Sequence, residues 1–313
     1  MPAPSRPSVR QLECVVAVAE HRNFRRAAAA VGVSQPALSI QIQQLERRLG
    51  VQLFERDRRA VLVTAAGEEV VAQARLALGA VDEVAAAARR LGEPLVGPLR
   101  MGVIPTVAPY LLPAVLPAVR KRFPRLELIL REEQTHRLLA GLAAGQLDCA
   151  LLALPVPGDL TAATVVREEF LLAAPRGDAL LRRRGSVREA DLAGHEVLLL
   201  EDGHCLRDQA LAVCSEAGAA ESAGLRATSL PTLVQMVAGG LGVTLLPAAA
   251  AAVLAPASGP VAVAEFAAPA PGRTIGLVWR TSSARLRESW MLAEELRTAA
   301  TPYLAGLRSR RRR

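Results

Sequence analysis

The sequence lacks the features that mark secreted and membrane proteins. Four cysteines in 313 residues are too few for the disulfide framework of a secreted scaffold. The longest apolar run, residues 245–256, is shorter than the ~20 residues that span a bilayer. The first residues contain no apolar segment typical of a secretory signal. We therefore expect a cytoplasmic protein without a membrane partner, in which a functional cysteine pair is catalytic, metal-binding or redox-sensing.

Aromatic residues make up 3% of the chain, and Lys121 is its only lysine. The net charge of +8 therefore rests on arginine, with ten arginines against five acidic residues in residues 1–60. A basic N-terminal block predicts a polyanionic partner such as double-stranded DNA. We interpret the basic tail, residues 304–313, as a solvated and mobile charge run rather than a second DNA site.

The N-terminal quarter has the pattern of three short helices. Helical periodicity covers residues 8–22, Asn23 opens an alanine-rich helix that ends before Gly32, and Ser34 is a suitable cap for a helix ending near Leu49. On the third helix Leu38, Ile42, Leu45 and Leu49 form one stripe that we expect to face inward. The alternative is an ordinary helical subdomain with a solvated polar face.

Two helices around a tight turn, the second exposing short polar side chains, are typical of a helix-turn-helix that enters the major groove. The strand-like residues that follow would form a wing whose arginines reach phosphates. The predicted DNA-binding residues are Ser34, Gln35, Pro36, Ser39, Gln43 and Arg47 on the third helix, with Arg58 and Arg59 in the wing.

A long helix is predicted over residues 65–93, with Thr64 as its cap. Apolar residues recur along it every three or four positions, as in a coiled coil. This seam consists of Val71, Ala74, Leu78, Val81, Ala85 and Ala88. A seam of this length favours pairing with a second copy, so we predict a homodimer; the alternative is one amphipathic helix packed on its own domain.

Beyond a Gly- and Pro-rich linker, "GEPLVGP", apolar strands alternate with helices. This alternation is typical of α/β folds with parallel sheets covered on both faces.

Two cysteines mark the ends of one predicted helix in this region. Cys205 follows the turn "EDGH" at the first turn of the helix, and Cys214 lies nine positions later among apolar residues. Nine helical residues advance about 13 Å, whereas a disulfide needs Cα atoms within about 7 Å. The helix end, with His204 and Arg207, is expected to favour a thiolate at Cys205. A reactive thiolate and a second thiol that meet only when the helix unwinds indicate a peroxide sensor.

The segment "NFRRAAAAVGVSQPALSIQIQQLERRLGVQLFERDRRAVLVTAAGEEVV" resembles the winged helix-turn-helix of the LysR-type transcriptional regulators. Gln43 and Ile40 depart from the pattern of many relatives, so no operator sequence is predicted. The resemblance implies an α/β fold with an N-terminal winged helix-turn-helix, a linker helix and a two-lobed regulatory domain like that of periplasmic binding proteins. The implied domains are 1–64 for DNA binding, 65–93 for the dimerising helix, 94–303 for the redox-sensing regulatory domain and 304–313 for the tail. Lobe I would cover about 94–166 and 270–303, and lobe II about 167–269.

Four further segments, "EDGHCLRDQA", "GVIPTVAPYLLP", "EEQTHRLLAGLAAGQLDCALLA" and "RTIGLVWR", are similar to the hydrogen-peroxide-sensing members of that family. By this resemblance Cys205 would be the peroxidatic cysteine and Cys214 the resolving one, joined by a disulfide when oxidised. The implied peroxide pocket contains Thr106, Thr135, His204, Arg207 and Arg273.

The implied function is that of a DNA-binding regulator of the oxidative-stress response, which is not an enzyme and needs no cofactor. Its implied partners are promoter DNA, RNA polymerase, further copies forming dimers and tetramers, and a glutaredoxin- or thioredoxin-type reductant that resets the disulfide.

Other interpretations of the cysteines remain open. Cys14 and Cys149 are interpreted as core packing. A metal site is not predicted, because one His-Cys pair lacks the usual three or four ligands at short spacing. The chain could instead be a LysR-type regulator of a small organic effector, which requires a roomy interlobe cleft. A free-standing thiol peroxidase is a third possibility, and the helix-turn-helix block argues against it.

Overall fold

The computed structural model describes residues 6–56, 61–90, 94–182 and 186–311. The chain divides into two compact units: residues 1–93 with 143–146, and residues 94–142 with 147–313. Among the described residues, no helix combines the length and apolarity needed to cross a membrane.

The first unit contains three short helices, a two-stranded wing and a long helix. Polar side chains begin the helices as predicted: Asn23 Oδ1 accepts from the Arg26 amide at 3.0 Å, and Ser34 Oγ accepts from Ala37 at 3.4 Å. Thr64 Oγ1 accepts from the Gly67 amide at 3.0 Å, at the start of the long helix. The elements are α1 (Val9–His21), α2 (Phe24–Ala30), α3 (Gln35–Leu49), β1 (Phe54–Arg56), β2 (Val61–Val63) and α4 (Ala65–Arg90). The predicted helix-turn-helix is confirmed.

The core of this unit differs from the prediction at one end of α3. Leu38, Ile42 and Leu45 are fully buried as expected, and they pack around Cys14. Leu49 is 38% exposed, so its assignment to the buried stripe is wrong. It is the last residue of α3, followed by Gly50 in the left-handed conformation that ends the helix.

The predicted seam on α4 divides into two parts. Val71 and Ala74 are buried in the core of their own unit, so they are not available to a second copy. Val81 is 42% exposed and Val84 is 73% exposed. Ala85 and Ala88 lie outside the described side chains. Among the described side chains of α4, the large apolar ones that lack cover within this unit are therefore Val81 and Val84.

The second unit alternates strands and helices around one large sheet. Its strands are β3 (Gly97–Val103), β4 (Leu126–Glu132), β5 (Cys149–Leu154), β6 (Leu160–Pro175), β7 (Glu196–Leu200), β8 (Ala220–Ala227), β9 (Thr244–Pro247), β10 (Val261–Glu265) and β11 (Gly272–Arg280). Its helices are α5 (Ala108–Arg122), α6 (Thr135–Ala143), α7 (Cys205–Ala217), α8 (Leu230–Ala238), α9 (Ala248–Leu254) and α10 (Leu286–Arg311), with 3₁₀ turns at Ala179–Arg182 and Glu189–Leu192.

The sheet has the strand order β10-β6-β11-β5-β3-β4, with β9 also paired to β6. Parallel pairing, as predicted, joins β3 to β4 and β5, and β7 to β8. At the centre the prediction is wrong, because β11 runs antiparallel to both β5 and β6. These strands lie far from β11 along the chain, and the local alternation of strands and helices does not specify the direction in which such distant strands pair.

Strand β6 connects the two halves of this unit. Residues 160–169 of β6 pair with β11, and residues 170–175 pair with β9 and β10. The sequence analysis predicted neither β6 nor the short helix α9. Buried side chains from both halves form one continuous core, which includes Leu151, Phe170 and Trp279.

The basic tail is not a mobile charge run over its described length. Helix α10 continues to Arg311, and Leu304 within it is buried. Arg308 Nη2 lies 2.7 Å from Glu169 Oε1 on β6, and Arg311 Nε lies 3.5 Å from Glu265 Oε1 on β10. The two final arginines lie outside the described residues. The prediction failed because these carboxylates are distant in sequence.

Candidate functional site

The candidate reactive cysteine lies where a buried strand turns into a helix. The strand β7 ends at Leu200, and α7 begins at Cys205 after the N-cap residue His204. Gly203 in this turn has φ +93°, a backbone conformation that other residues rarely adopt, so the turn favours glycine. Cys205 thus occupies the first helical position, where backbone amides lack intrahelical partners and the helix end is positive.

A small pocket with about 160 Å³ of empty space adjoins the half-buried Cys205. Three chain segments build it, from the end of β3, the start of α6 and the turn before α7. Its lining residues are Ile104, Pro105, Thr106, Gln134, Thr135, Gly203, His204 and Cys205. The structure therefore brings together four of the predicted site residues: Thr106, Thr135, His204 and Cys205. Arg207 and Arg273 do not line this pocket.

Arg273 contacts the pocket through Thr106. Its Nη1 donates to Thr106 Oγ1 at 2.8 Å and its Nη2 donates to the Thr106 carbonyl at 2.9 Å. Both Arg273 and Thr106 are buried, at 3% exposure each. On its other edge the guanidinium pairs with Glu168, whose Oε2 accepts from Arg273 Nε at 2.9 Å. The predicted basic residue of the pocket is therefore an indirect neighbour, held by a carboxylate that the sequence analysis missed.

Thr135 supplies a second hydroxyl to the pocket. Its Oγ1 is buried and has no hydrogen-bond partner among the described residues. Buried polar atoms in proteins are nearly always hydrogen-bonded, so an unpartnered hydroxyl beside a thiol is a suitable contact for a small polar molecule.

The surroundings of His204 favour the neutral form of its imidazole. Burial lowers the pKa of its imidazole, although Glu201 at 3.9 Å acts in the opposite direction. His204 Nε2 lies 3.3 Å from Gln134 Nε2. Which of the two nitrogens donates depends on the tautomer of the imidazole. His204 therefore contributes a polar ring beside the pocket, held near Gln134.

Arg207 binds carboxylates rather than the thiol. Its Nη1 and Nη2 lie 2.8 and 3.0 Å from the two oxygens of Glu221, and its Nε lies 2.9 Å from Asp202. Nη1 also reaches the Leu200 carbonyl at 3.3 Å. These contacts join the first turn of α7 to β7 and β8, so Arg207 anchors the helix that carries both cysteines.

Cys214 has the opposite environment to Cys205. It is 2% exposed, and burial, with a smaller contribution from Glu221, raises the pKa of its thiol to about 11. The four cysteines are free thiols, and Cys14 and Cys149 are buried as predicted. Burial also raises the pKa of Cys149. The intact helix α7 keeps Cys205 and Cys214 about 13 Å apart along its axis.

The candidate DNA face is the outer side of α3. Gln35, Pro36, Gln43 and Arg47 are exposed, and Ser39 is half-buried. Ser34 caps the helix. Gln35 Nε2 donates to Ser39 Oγ at 3.3 Å. The predicted wing residues Arg58 and Arg59 lie outside the described residues.

The sequence analysis missed the pocket residues Ile104, Pro105, Gln134 and Gly203, and also Glu168 behind Arg273. Gln134 is adjacent to Thr135 in "EEQT", and Gly203 lies in the turn already identified, so local signals existed for both. Glu168 had no such signal, because it lies on the unpredicted strand β6. Among the described residues no cluster of three His, Cys, Asp or Glu side chains could hold a metal ion.

Comparison with known proteins identifies relatives over nearly the whole chain. Residues 9–68 match the bacterial regulatory helix-turn-helix protein, lysR family, and residues 92–301 match the LysR substrate binding domain. A probable hydrogen peroxide-inducible genes activator of Streptomyces viridosporus is 51% identical, with 94% of each chain covered.

Two solved structures are also similar. A full-length OxyR variant from Pseudomonas aeruginosa has a TM-score of 0.79 and 35% identity, covering 95% of this chain and 96% of that one. An OxyR mutant from Corynebacterium glutamicum with bound H2O2 has a TM-score of 0.68 and 36% identity, covering 98% and 97%.

Proposed function

This chain belongs to the LysR family of bacterial regulatory helix-turn-helix proteins, and we propose that it is a DNA-binding transcriptional regulator of the oxidative-stress response that senses hydrogen peroxide through Cys205. The observation that carries this proposal is the pocket itself. It combines a half-buried thiol at a helix N-terminus with the hydroxyls of Thr106 and Thr135. A relative named for peroxide-inducible genes and a peroxide-bound structural neighbour support the same function.

The first chemical step is an attack by the Cys205 thiolate on one oxygen of H2O2. An S–O bond forms and the O–O bond breaks, so the sulfur is oxidised by two electrons to sulfenic acid. The second oxygen leaves as hydroxide and becomes water on taking a proton. Hydroxyl groups at Thr106 and Thr135 can orient the peroxide and stabilise the departing oxygen.

In the second step Cys214, as its thiolate, attacks the sulfenic sulfur. An S–S bond forms, the S–O bond breaks and the leaving hydroxide becomes a second water. The intact helix α7 keeps the sulfurs apart, so we propose that its local unwinding precedes the disulfide. The contacts of Arg207 with Glu221 and Asp202 would have to break or rearrange, which converts a local oxidation into a change of shape.

The lack of room beside Cys205 argues against an organic effector at this position. Pockets for drug-sized ligands usually enclose about 300–1,000 Å³, whereas the space beside Cys205 amounts to only about 160 Å³ even when open solvent is included. A larger cavity of about 740 Å³ lies among α9, β10 and the end of α10. It shares no lining residue with the cysteine pocket, so it offers no route by which an effector would use the two thiols.

We propose that α3 reads the operator through Gln43 and the other predicted residues of its face, which are Ser34, Gln35, Pro36, Ser39 and Arg47. Gln43→Ala should lower selectivity for an operator fragment selected from random-sequence duplexes, by about 1–3 kcal/mol per lost base contact. The matched control is Gln44→Ala, which removes the adjacent exposed glutamine of the same helix. Equal selectivity in both variants would contradict this placement of the recognition surface.

We also propose that α4 pairs with a second copy through the surface around Val81 and Val84. A groove of about 420 Å³ between Leu12, Leu49 and Val70 adds apolar surface beside the same helix. Val81→Asp together with Val84→Asp should yield monomers in sedimentation. Val9→Asp is the control, because Val9 is 43% exposed on α1 and lies outside the seam. An unchanged oligomer in the double variant would exclude this dimer interface.

The remaining partners follow from the regulatory role. Two linked DNA modules suit a dyad-symmetric promoter site, and pairing of dimers into a tetramer would let one assembly span a longer site. The proposed regulator contacts RNA polymerase and works in the cytoplasm, where the DNA is. Each molecule reacts once and is then reset by a glutaredoxin- or thioredoxin-type reductant, so it is not an enzyme and uses no cofactor.

The deciding experiment compares the rate of Cys205 oxidation by H2O2 at pH 7 with that of cysteine in a short peptide. Peptide mapping after stoichiometric peroxide identifies the oxidised residues. We expect Cys205 to react at least about 100-fold faster than the peptide cysteine, because one oriented hydrogen-bond donor in a reaction site changes the rate by about that factor. Comparable rates would reject the peroxide function and leave a small organic effector as the interpretation.

A further inference from the structure

Glu168 is a buried carboxylate beside the pocket that no step above requires. It lies on β6 and is 4% exposed. Its Oε1 accepts from the Ala249 amide at 2.8 Å, and its Oε2 accepts from Arg273 Nε at 2.9 Å and lies 2.8 Å from Arg273 Nη2. Both carboxylate oxygens are therefore engaged, and the orientation of the Arg273 guanidinium is set from this side.

The guanidinium transmits that orientation to Thr106. Its Nη1 and Nη2 donate to the hydroxyl and the carbonyl of the same threonine. Arginine has no acceptor, so the Thr106 hydroxyl must accept from Nη1. Among the described residues no acceptor is found for the proton of that hydroxyl, and Thr106 lines the pocket with Cys205.

We propose that Glu168 is a positioning residue for the peroxide reaction: by holding Arg273 on Thr106, it makes the Thr106 hydroxyl a donor directed into the pocket. This inference rests on the proposed function. The donor hydrogen-bonds to the peroxide oxygen on which charge develops as the O–O bond breaks, and that oxygen leaves as hydroxide. Thr135, whose hydroxyl is unpartnered, can contact the other oxygen.

Geometry rather than charge is the property that Glu168 supplies. A planar guanidinium can bridge Glu168 and both Thr106 oxygens at once, whereas the ammonium of lysine is a single point on a flexible stem. Arg273→Lys should therefore impair the reaction although it retains the positive charge. In Glu168→Gln one carboxylate oxygen becomes an NH2 group. This group faces either the Ala249 N–H or the guanidinium, and in both positions two hydrogen-bond donors meet, so one hydrogen bond is lost.

The test measures two rates at Cys205 in the full-length protein, with H2O2 and with iodoacetamide. Iodoacetamide reports general thiol reactivity and needs no oriented peroxide. Glu168→Gln should lower the peroxide rate by about 10- to 100-fold, up to the loss of one oriented donor, and change the alkylation rate by less than about 3-fold. The matched control is Glu169→Gln, the same change at the adjacent residue, whose carboxylate pairs with Arg308 and which should change neither rate.

A double-mutant cycle with Thr106→Val separates positioning from a general structural effect. Thr106→Val removes the donor, and Thr106→Ser should retain most of the peroxide rate. In the Thr106→Val background, Glu168→Gln should have no further effect on the peroxide rate. Multiplicative losses would overturn the inference, as would an equal fall in the peroxide and alkylation rates.

Three cases are distinguished by this test. If Glu168→Gln does not fold, Arg273→Lys takes its place in the same cycle. The supporting result is then that Arg273→Lys lowers the peroxide rate in the wild-type background and does not lower it further in the Thr106→Val background. If wild-type Cys205 reacts no faster than the peptide cysteine, the proposed function fails. If the wild type is fast and both Glu168→Gln and Arg273→Lys are unchanged, only this inference fails.

Discussion

The two ends of helix α7 carry the same side chain in opposite surroundings. Cys205 occupies the first helical position, is half-buried and opens onto a pocket with two hydroxyls. Cys214 is 2% exposed, and burial raises the pKa of its thiol to about 11. One thiol is presented to a small polar oxidant while the other is kept protonated. In the proposed mechanism, this asymmetry separates the reacting cysteine from the resolving one until the helix opens.

The largest expected effect separates the two thiols by their order of reaction. Cys205→Ser should abolish oxidation by H2O2 and the transcriptional response, because the nucleophile is removed. Cys214→Ser should react at a rate within about 2-fold of wild type and then stop at sulfenic acid or overoxidise, because the second thiol is missing. Intact-mass spectrometry after stoichiometric peroxide follows both variants. Loss of the first step in Cys214→Ser would remove the asymmetry.

The pH dependence of disulfide formation tests whether α7 opens before Cys214 attacks. An exposed cysteine has a pKa of about 8.5, so the thiolate fraction at pH 7 would be roughly 300-fold greater than for a thiol with a pKa about 11. We expect the rate of the second step, measured by acid quench and peptide mapping, to rise with pH and level off near the ordinary cysteine value. A rise that continues toward pH 11 would indicate attack from the folded helix.

Removing the anchor of α7 should accelerate the second step alone. Glu221→Gln weakens the contacts of Arg207 and removes a charge that raises the pKa of Cys214. A hydrogen bond to a charged group contributes about 1.5–3 kcal/mol, and about 1.4 kcal/mol corresponds to tenfold. We therefore expect disulfide formation to be about 10-fold faster, with sulfenic acid formation unchanged.

The matched control for this prediction is Glu216→Gln, the same substitution at an exposed position of the same helix. It should leave both steps unaltered. If Glu221→Gln and Glu216→Gln behave alike, the ion pairs of Arg207 do not restrain the helix.

The smallest expected effect concerns acid at the Cys205 end. Burial lowers the pKa of His204, so the folded state binds a proton less readily than the unfolded chain, whose histidine pKa is about 6.5. The stabilising contribution of the neutral imidazole is thus complete above that pH and is lost as the pH falls through the folded pKa. His204→Gln should reduce the difference in Tm between pH 7.5 and pH 5.5. An unchanged difference would show that His204 does not titrate in this way.

Local features of the chain were predictable because each depends on a few neighbouring residues. The three helices of the DNA-binding unit begin at capping side chains and end close to where their apolar spacing stops. The same holds for α7, whose first residue is the cysteine expected at its first turn. The burial of Leu49 was predicted wrongly. Its spacing places it on the apolar stripe of α3, but the spacing does not show how far the neighbouring helices extend over that stripe.

Long-range pairing was not predictable, as β6 illustrates. Its residues pair with residues of β11 that are distant along the chain, for example Thr161 with Trp279. The alternation of strands and helices in the sequence had instead favoured parallel sheets. The tail of α10 was misjudged for the same reason, since its arginines meet Glu169 and Glu265.

The amino-acid order was sufficient to predict the helix-turn-helix and the separation of Cys205 from Cys214, since both follow from short-range spacing. The residues of the candidate peroxide site, such as Thr106 and Thr135, came instead from the resemblance to a known family. The charge state and the orientation of that site depend on the folded chain. Burial lowers the pKa of His204, and Arg207 turns to Glu221 rather than to the sulfur. Arg273 reaches Thr106 across 167 positions of sequence. Such contacts arise from the packing of distant strands, which no local pattern specifies.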